Sequence, residues 1–288
     1  MDYLAPRSLD EALAIRAERP DAVCVHGGTD VMVDVNFGRL RPGAMLDLSR
    51  VEELAGWART DGDVRLGAGA TYARIRAELA HELPGLALAS RTVGSPQIRN
   101  RGTVGGNLGS ASPAGDAHPP LLAAGATVEA ASVRGRRTIA IEDFFVGPKR
   151  HALEPDELIV AVTQPIARGP QAFAKVGTRN AMVIAVVSFA IALDVGARTV
   201  GTGIGSAAPT PIRAPDAEAF AAGALDWDGR RPLEPEALVR FGDLVAAAAR
   251  PIDDVRGTAA YRRHVLAVLA RRVLRRAWDE HTSGAGAP

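Results

Sequence analysis

The stretch from Val93 to Asp116, VGSPQIRNRGTVGGNLGSASPAGD, constrains this chain more than any other. It is dense in glycine, carries hydroxyls at Thr103, Ser110 and Ser112, and closes on a lone carboxylate, Asp116. Paired glycines such as Gly105-Gly106 allow a backbone to approach a ligand closely with its N–H groups outward. A run of such groups forms a concavity suited to anionic oxygens, and Asn107 and Asp116 are spaced to hydrogen-bond hydroxyls of the same ligand. The alternative is a long surface loop of turn formers. A second glycine turn far upstream, His26-Gly27-Gly28-Thr29-Asp30, favours the ligand.

Composition matters mainly for what it removes. The 288 residues favour two domains over one. A formal net charge of +1 gives no support to nucleic acid or an anionic membrane as partner. The single cysteine, Cys24, rules out an internal disulfide and points to the cytoplasm. It also excludes an iron–sulfur cluster held by this chain alone, since those take four thiolates. Met1-Asp2-Tyr3 opens without a basic n-region or apolar core, so no signal peptide is expected. No apolar run approaches the ~20 residues of a membrane span.

In chain order, Ser8 and Glu11 fit a capping box for a helix that stops before Pro20, with Glu11 expected to reach back to the Ser8 N–H. Ala22–Val25 reads as a strand entering the first glycine turn; Met45–Leu48 and Val64–Ala68 read as further strands. Tyr72, Ile75, Leu79 and Leu83 recur at helical spacing. This alternation indicates an α/β domain. Pro119–Ala124 is a short helix, and Thr127–Val133 with Thr138–Ile141 a hairpin pair around a basic turn. Leu158–Val162 is another strand, and ARGPQ, Ala167–Gln171, the domain boundary. Beyond it, Phe173–Gly177, Val183–Val195 and Thr199–Gly205 read as an antiparallel sheet. Pro215–Gly223, Pro235–Ala249 and Thr258–Trp278 read as helices. On the last of these, Arg262, Arg263, Arg271, Arg272, Arg275 and Arg276 are read as a solvated face rather than a nucleic-acid surface. The expected organisation is thus 1–168, 172–279 and a flexible tail, 280–288.

Other motifs carry less. Gly201-Thr202-Gly203-Ile204-Gly205 is followed by prolines where a dinucleotide-binding helix should begin, so it reads as a tight sheet turn. The six histidines lack metal-ligand spacing. Ser110 and Ser112 sit in no nucleophile elbow, and no acid–base pair stands out.

Taken together, VHGGTD (Val25–Asp30), QIRN (Gln97–Asn100), TVGGN (Thr103–Asn107), Asp116, and Asp143-Phe144-Phe145 resemble the FAD-binding medium subunit of the molybdenum hydroxylases. This is the group of xanthine dehydrogenase and aerobic carbon monoxide dehydrogenase. In the second half Lys175-Val176-Gly177, Gly203–Ser206 with Pro209, and Asp254–Gly257 match as well, so the resemblance covers nearly the full chain. His26 departs from it, standing where the family usually has a small residue.

The resemblance implies an α+β chain: a vanillyl-alcohol-oxidase (PCMH)-type FAD-binding domain, then a smaller domain of antiparallel sheet and helices. It implies that Val25, His26, Gly27, Gly28, Thr29, Asp30 and Val31, together with Thr103, Val104, Gly105, Gly106 and Asn107, wrap the FAD diphosphate and ribityl chain with backbone N–H groups. Asp116 then binds a cofactor hydroxyl, and Val93, Ile159 and Lys175 lie next to the flavin. Partners follow by the same implication: an iron–sulfur small subunit, a molybdopterin large subunit, and NAD+ or dioxygen as electron acceptor. Pro113–Asp116 and the run after Lys175 look most like bacterial purine-oxidising members. A carbon monoxide dehydrogenase-type subunit is the alternative within the family. A flavin-less assembly module and a free-standing flavin oxidase are the alternatives outside it.

Overall fold

Local capping sets the first helix, Leu9–Glu18. The Ser8 hydroxyl accepts from the Glu11 N–H at 3.2 Å, while the Glu11 carboxylate accepts from Arg7 at 2.7 Å, one residue before the expected partner. The Arg19 N–H closes the last turn on Ile15, and Pro20 prevents continuation. The computed structural model describes residues 1–284.

Three sheets build the first half, the smallest a two-stranded pairing of Phe145–Gly147 with Arg150–His151. Asp2–Leu4, Ala44–Asp47 and Val23–Val25 form a three-stranded parallel sheet with Ala44–Asp47 in the middle. The edge strand Asp2–Leu4 has too little apolar pattern to be seen in sequence; it is fixed by pairing with the fully buried Ala44–Asp47. The largest sheet has five strands in the order Trp57–Thr60, Asp63–Gly67, Leu158–Pro165, Thr127–Ser132 and Gly135–Ala140. All its neighbours are antiparallel, so the α/β expectation holds only for the three-stranded sheet. Its central strand changes register between Ile159 and Ala161, where Val160 is the extra residue of a bulge.

The glycine-rich stretch is helical where turns were expected. Pro96–Arg101 is capped by Ser95 and Val104–Ser110 by Thr103, each through a side-chain oxygen. Glycine is a poor helix former, but a Cβ on Gly105 would stand 2.5 Å from Ala68 Cβ. Close packing on Ala68 therefore overrides propensity there.

In the second half, Gln171–Val176, Val187–Asp194 and Thr199–Gly205 form an antiparallel meander. The helices Pro215–Ala224, Pro235–Ala248 and Ala259–Thr282 pack with it around Phe189, Phe241, Leu266 and Trp278. The last helix passes the expected end at Trp278 and takes in Glu280, His281 and Thr282 of the stretch read as a tail; 285–288 lie outside the described residues. Arg262 is not on the solvated face. It is 2% exposed, with Nη1 donating to the Val186 and Ser206 carbonyls at 2.7 Å each and Nη2 to Asp254 at 2.6 Å.

The two large cores occupy residues 9–162 and 172–278. A small third cluster, Ala89, Ala123, Phe173 and Ala190, joins them. Here the glycine pentad Gly201–Gly205 finds its role, as strand rather than turn. A Cβ on Gly201 would stand 2.0 Å from the Ala123 carbonyl oxygen, and on Gly203 1.9 Å from that of Pro119. Bare glycine backbone lets the helix His118–Ala123 lie directly on the second sheet.

Candidate functional site

A cleft of about 750 Å³ opens between the two glycine segments, within the about 300–1,000 Å³ usual for cofactor pockets. It is lined by residues 25–31, by Thr103, Gly105, Gly106 and Asn107, and by Val93, Asp116 and Ile159. Met182, Val183 and Ile184 of the second half form one lip. Val104 and Lys175 do not line it: Val104 is wholly buried, and Lys175 stands behind Asp116.

The two glycine segments differ in what they offer. In the first, Gly28 takes φ +70°, the left-handed region, and a Cβ on Gly27 would stand 2.0 Å from the Arg101 carbonyl oxygen. The N–H groups of Gly27, Gly28, Thr29, Asp30 and Val31 have no acceptor among the described residues. In the second, the N–H groups of Val104 and Gly105 donate to Ala70 and Ala68, and those of Gly106 and Asn107 to Thr103. The expectation that both segments wrap an anion with N–H groups is therefore corrected. The first carries the free donors; the second turns its donors inward and gives close approach, with Gly106 open apart from Thr103 Oγ1.

His26 fits this arrangement without crowding the cleft. Its ring packs on Gly69, with Nε2 2.5 Å from where a Cβ would stand. Burial pushes its pKa down, the Asp47 carboxylate opposes this, and the Arg101 guanidinium adds to it. The imidazole is therefore neutral at neutral pH and brings no cation to the loop.

Deeper in the cleft, several polar atoms are buried without partners. Asp116 Oδ2 accepts from Lys175 Nζ at 2.6 Å and from the Thr92 hydroxyl at 3.3 Å, which leaves Oδ1 unsatisfied. Asn107 Oδ1 and the Tyr72 hydroxyl are unsatisfied as well. Burial pushes the Asp116 carboxyl up, and the adjacent Lys175 offsets part of that rise. Lys175 also donates to the carbonyls of Thr92 at 2.9 Å and Val183 at 3.1 Å, so its three protons are all engaged. Tyr72 was missed in sequence because its spacing with Ile75 and Leu79 reads as core; nothing local signals a lone hydroxyl.

Free N–H donors at one place and unsatisfied acceptors at another suit a ligand with an anionic linker and a chain of hydroxyls. Residues 1–167 match the family described as the FAD binding domain in molybdopterin dehydrogenase, and residues 172–277 the CO dehydrogenase flavoprotein C-terminal domain. The chain belongs to this family of flavoproteins. FAD is the cofactor its first domain takes, and the diphosphate and ribityl chain of FAD fit the cleft's donors and acceptors. Among relatives of this flavoprotein, the nicotine 6-hydroxylase medium subunit of Paenarthrobacter nicotinovorans is 32% identical over 279 residues, covering 94% of this chain and 95% of that one. The putative xanthine dehydrogenase FAD-binding subunit of Escherichia coli K12 is 31% identical over 281 residues, covering 94% of each. A solved carbon monoxide dehydrogenase from Hydrogenophaga pseudoflava superposes with a TM-score of 0.90 at 28% identity, over 98% of each chain. The vanillyl-alcohol-oxidase-type flavin domain followed by antiparallel sheet and helices is thus the architecture of the flavoprotein. No group of three or more His, Cys, Asp or Glu among the described residues can hold a metal ion, and no described helix is long and apolar enough to cross a membrane.

Proposed function

We propose that this flavoprotein is the electron-transfer subunit of a cytoplasmic molybdenum hydroxylase of the xanthine dehydrogenase type. Substrate is oxidised on a molybdopterin-bearing large subunit, electrons pass through iron–sulfur clusters of a small subunit, and they leave from this chain to NAD+ or dioxygen. The observation that carries this reading is the cleft, with its free donors and buried acceptors matched to FAD. Bound there, the cofactor supplies the redox chemistry. The chain's own residues bind and orient it. The N–H groups of Gly27 to Val31 hold the diphosphate, Gly106 leaves room for it, and Asp116 and Asn107 accept from hydroxyls. Lys175 acts through Asp116 by holding Oδ2, which leaves Oδ1 for the cofactor, and Val93 and Ile159 keep water off the apolar walls. One cysteine in the whole chain is why the clusters belong to a partner. The purine preference rests on the runs Pro113–Asp116 and Arg179–Phe189.

The binding arrangement is tested with Gly106→Val. Its branched side chain fills the space meant for the cofactor, an overpacking cost of about 1–3 kcal/mol. FAD affinity should fall about tenfold to a hundredfold. Stoichiometric yellow FAD retained through purification of this variant would contradict the assignment.

The electron-exit role is tested by mixing the isolated, FAD-loaded chain with xanthine and a dye under anaerobic conditions. We expect no flavin bleaching until the molybdenum and iron–sulfur subunits are added. Bleaching by xanthine alone would make the chain a self-contained oxidase.

A further inference from the structure

Tyr72 is a buried tyrosine inside the cofactor cleft to which neither the family motifs nor the reading above gives a role. It begins the helix Tyr72–Glu78, directly after the cap residue Thr71, which bridges to Thr103. Its own N–H donates to the Gly102 carbonyl at 3.1 Å, so its backbone is tied to the segment that leads into the second glycine motif. The ring lies against Gly102, with Cδ2 3.5 Å from where a Cβ would stand. The residue is 2% exposed, lines the cleft, and its hydroxyl has no partner. A buried hydroxyl left unpaired costs about 1–3 kcal/mol, so this one implies an acceptor that the protein itself does not provide.

Two other residues that line the cleft say what kind. Asp116 and Asn107 each carry a buried acceptor oxygen without a partner. Burial pushes the Tyr72 phenol well above its usual value and the charge of Asp116 pushes the same way, so the phenol keeps its proton. A carboxylate that needs a donor and a phenol that needs an acceptor are both satisfied by one ligand hydroxyl, which can donate to the first and accept from the second.

We propose that Tyr72 is a cofactor-binding residue whose hydroxyl donates to a hydroxyl group of the bound flavin dinucleotide, that same group donating its own proton to Asp116 Oδ1. This rests on the FAD-binding reading and adds to it a residue that selects for a hydroxylated ligand chain. Tyr72→Phe removes the donor and keeps the ring.

The test is an FAD titration of the full chain stripped of cofactor, followed by flavin fluorescence, for wild type, Tyr72→Phe, Asp116→Asn and the double variant. Tyr72→Phe should weaken FAD about fivefold to tenfold. Its cofactor-free melting temperature should stay level or rise, because a buried unpaired hydroxyl has gone. The double variant should lose less than the product of the two single losses, since both groups serve one ligand hydroxyl. A Tyr72→Phe dissociation constant within twofold of wild type overturns the inference while leaving FAD binding intact. A cofactor-free melting temperature that falls in step with affinity also overturns it, because the tyrosine is then only core. Losses that multiply independently overturn the shared hydroxyl. A wild-type chain that takes up no FAD removes both the inference and the reading beneath it.

Discussion

Lys175→Met should destabilise the protein by about 3–5 kcal/mol, the cost of removing one partner from a buried ion pair. The side chains of Lys175 and Asp116 are 10% and 9% exposed. The lysine is the strongest partner of Asp116 Oδ2 and also holds the carbonyls of Thr92 and Val183. Lys175 belongs to the strand Gln171–Val176 of the second half, and Asp116 to the first. The pair therefore ties the halves together at the floor of the cleft. Methionine leaves the carboxylate with only the Thr92 hydroxyl at 3.3 Å, whose single proton has a nearer acceptor in the Ala89 carbonyl at 2.8 Å. Adding Asp116→Asn to Lys175→Met removes the stranded charge and should recover more than half of the loss. Urea unfolding of the single and double variants measures both effects. A single variant within 1 kcal/mol of wild type, an order set by exposed pairs, would show that water already solvates this pair.

The second large effect is in acid. His118 is wholly buried, and its pKa is pushed from 6.5 down to about 4 by desolvation, against the opposing pull of the Asn107 and Ser112 carbonyls. Its ring packs on Phe145 at 4.5 Å between centroids and under Gly115, with Nε2 3.2 Å from the Asn107 carbonyl oxygen. Above pH 6.5 the imidazole is neutral in both folded and unfolded chains, so its contribution is complete there. As pH falls from 6.5 towards about 4, the unfolded chain takes up a proton that the folded protein refuses. Stability then drops by about 1.4 kcal/mol per unit, or about 3 kcal/mol across the window. His118→Gln keeps a donor but does not titrate. Urea unfolding of the cofactor-free chain at pH values on either side of the window should show wild type losing about 2–3 kcal/mol more than this variant. Parallel losses would mean that His118 is protonated in the fold. Burial pushes His26 and His151 down too, and the comparison cancels their shared contribution.

Sequence was most informative where the signal is local. Ser8 and Thr258 start helices through their own side-chain oxygens, and apolar runs locate strands such as Thr127–Ser132 and Thr199–Gly205 within a residue. The glycine pairs identify the two segments that meet at the cleft, because close backbone approach depends on the glycine itself. The helix Val104–Ser110 was illegible for the opposite reason: three glycines, Gly105, Gly106 and Gly109, argue against a helix, and packing of Gly105 on Ala68 overrides them. The same holds for Gly201 and Gly203, whose purpose appears only with the helix His118–Ala123 laid on them.

Site chemistry divides along the same line. Asp116 stands out from the sequence alone as a candidate binding carboxylate. That its Oδ2 is taken by a lysine 59 residues away and its Oδ1 left free was decided by packing of the two halves. Sequence likewise placed Tyr72 on an apolar helix face, which is where its ring lies. Whether a buried hydroxyl finds a partner depends on every chain segment around it, and no spacing within the helix Tyr72–Glu78 encodes that. Dihedral preferences, caps and apolar periodicity act over a few residues and can be read in order; desolvation and pairing arise only once distant segments exclude water together.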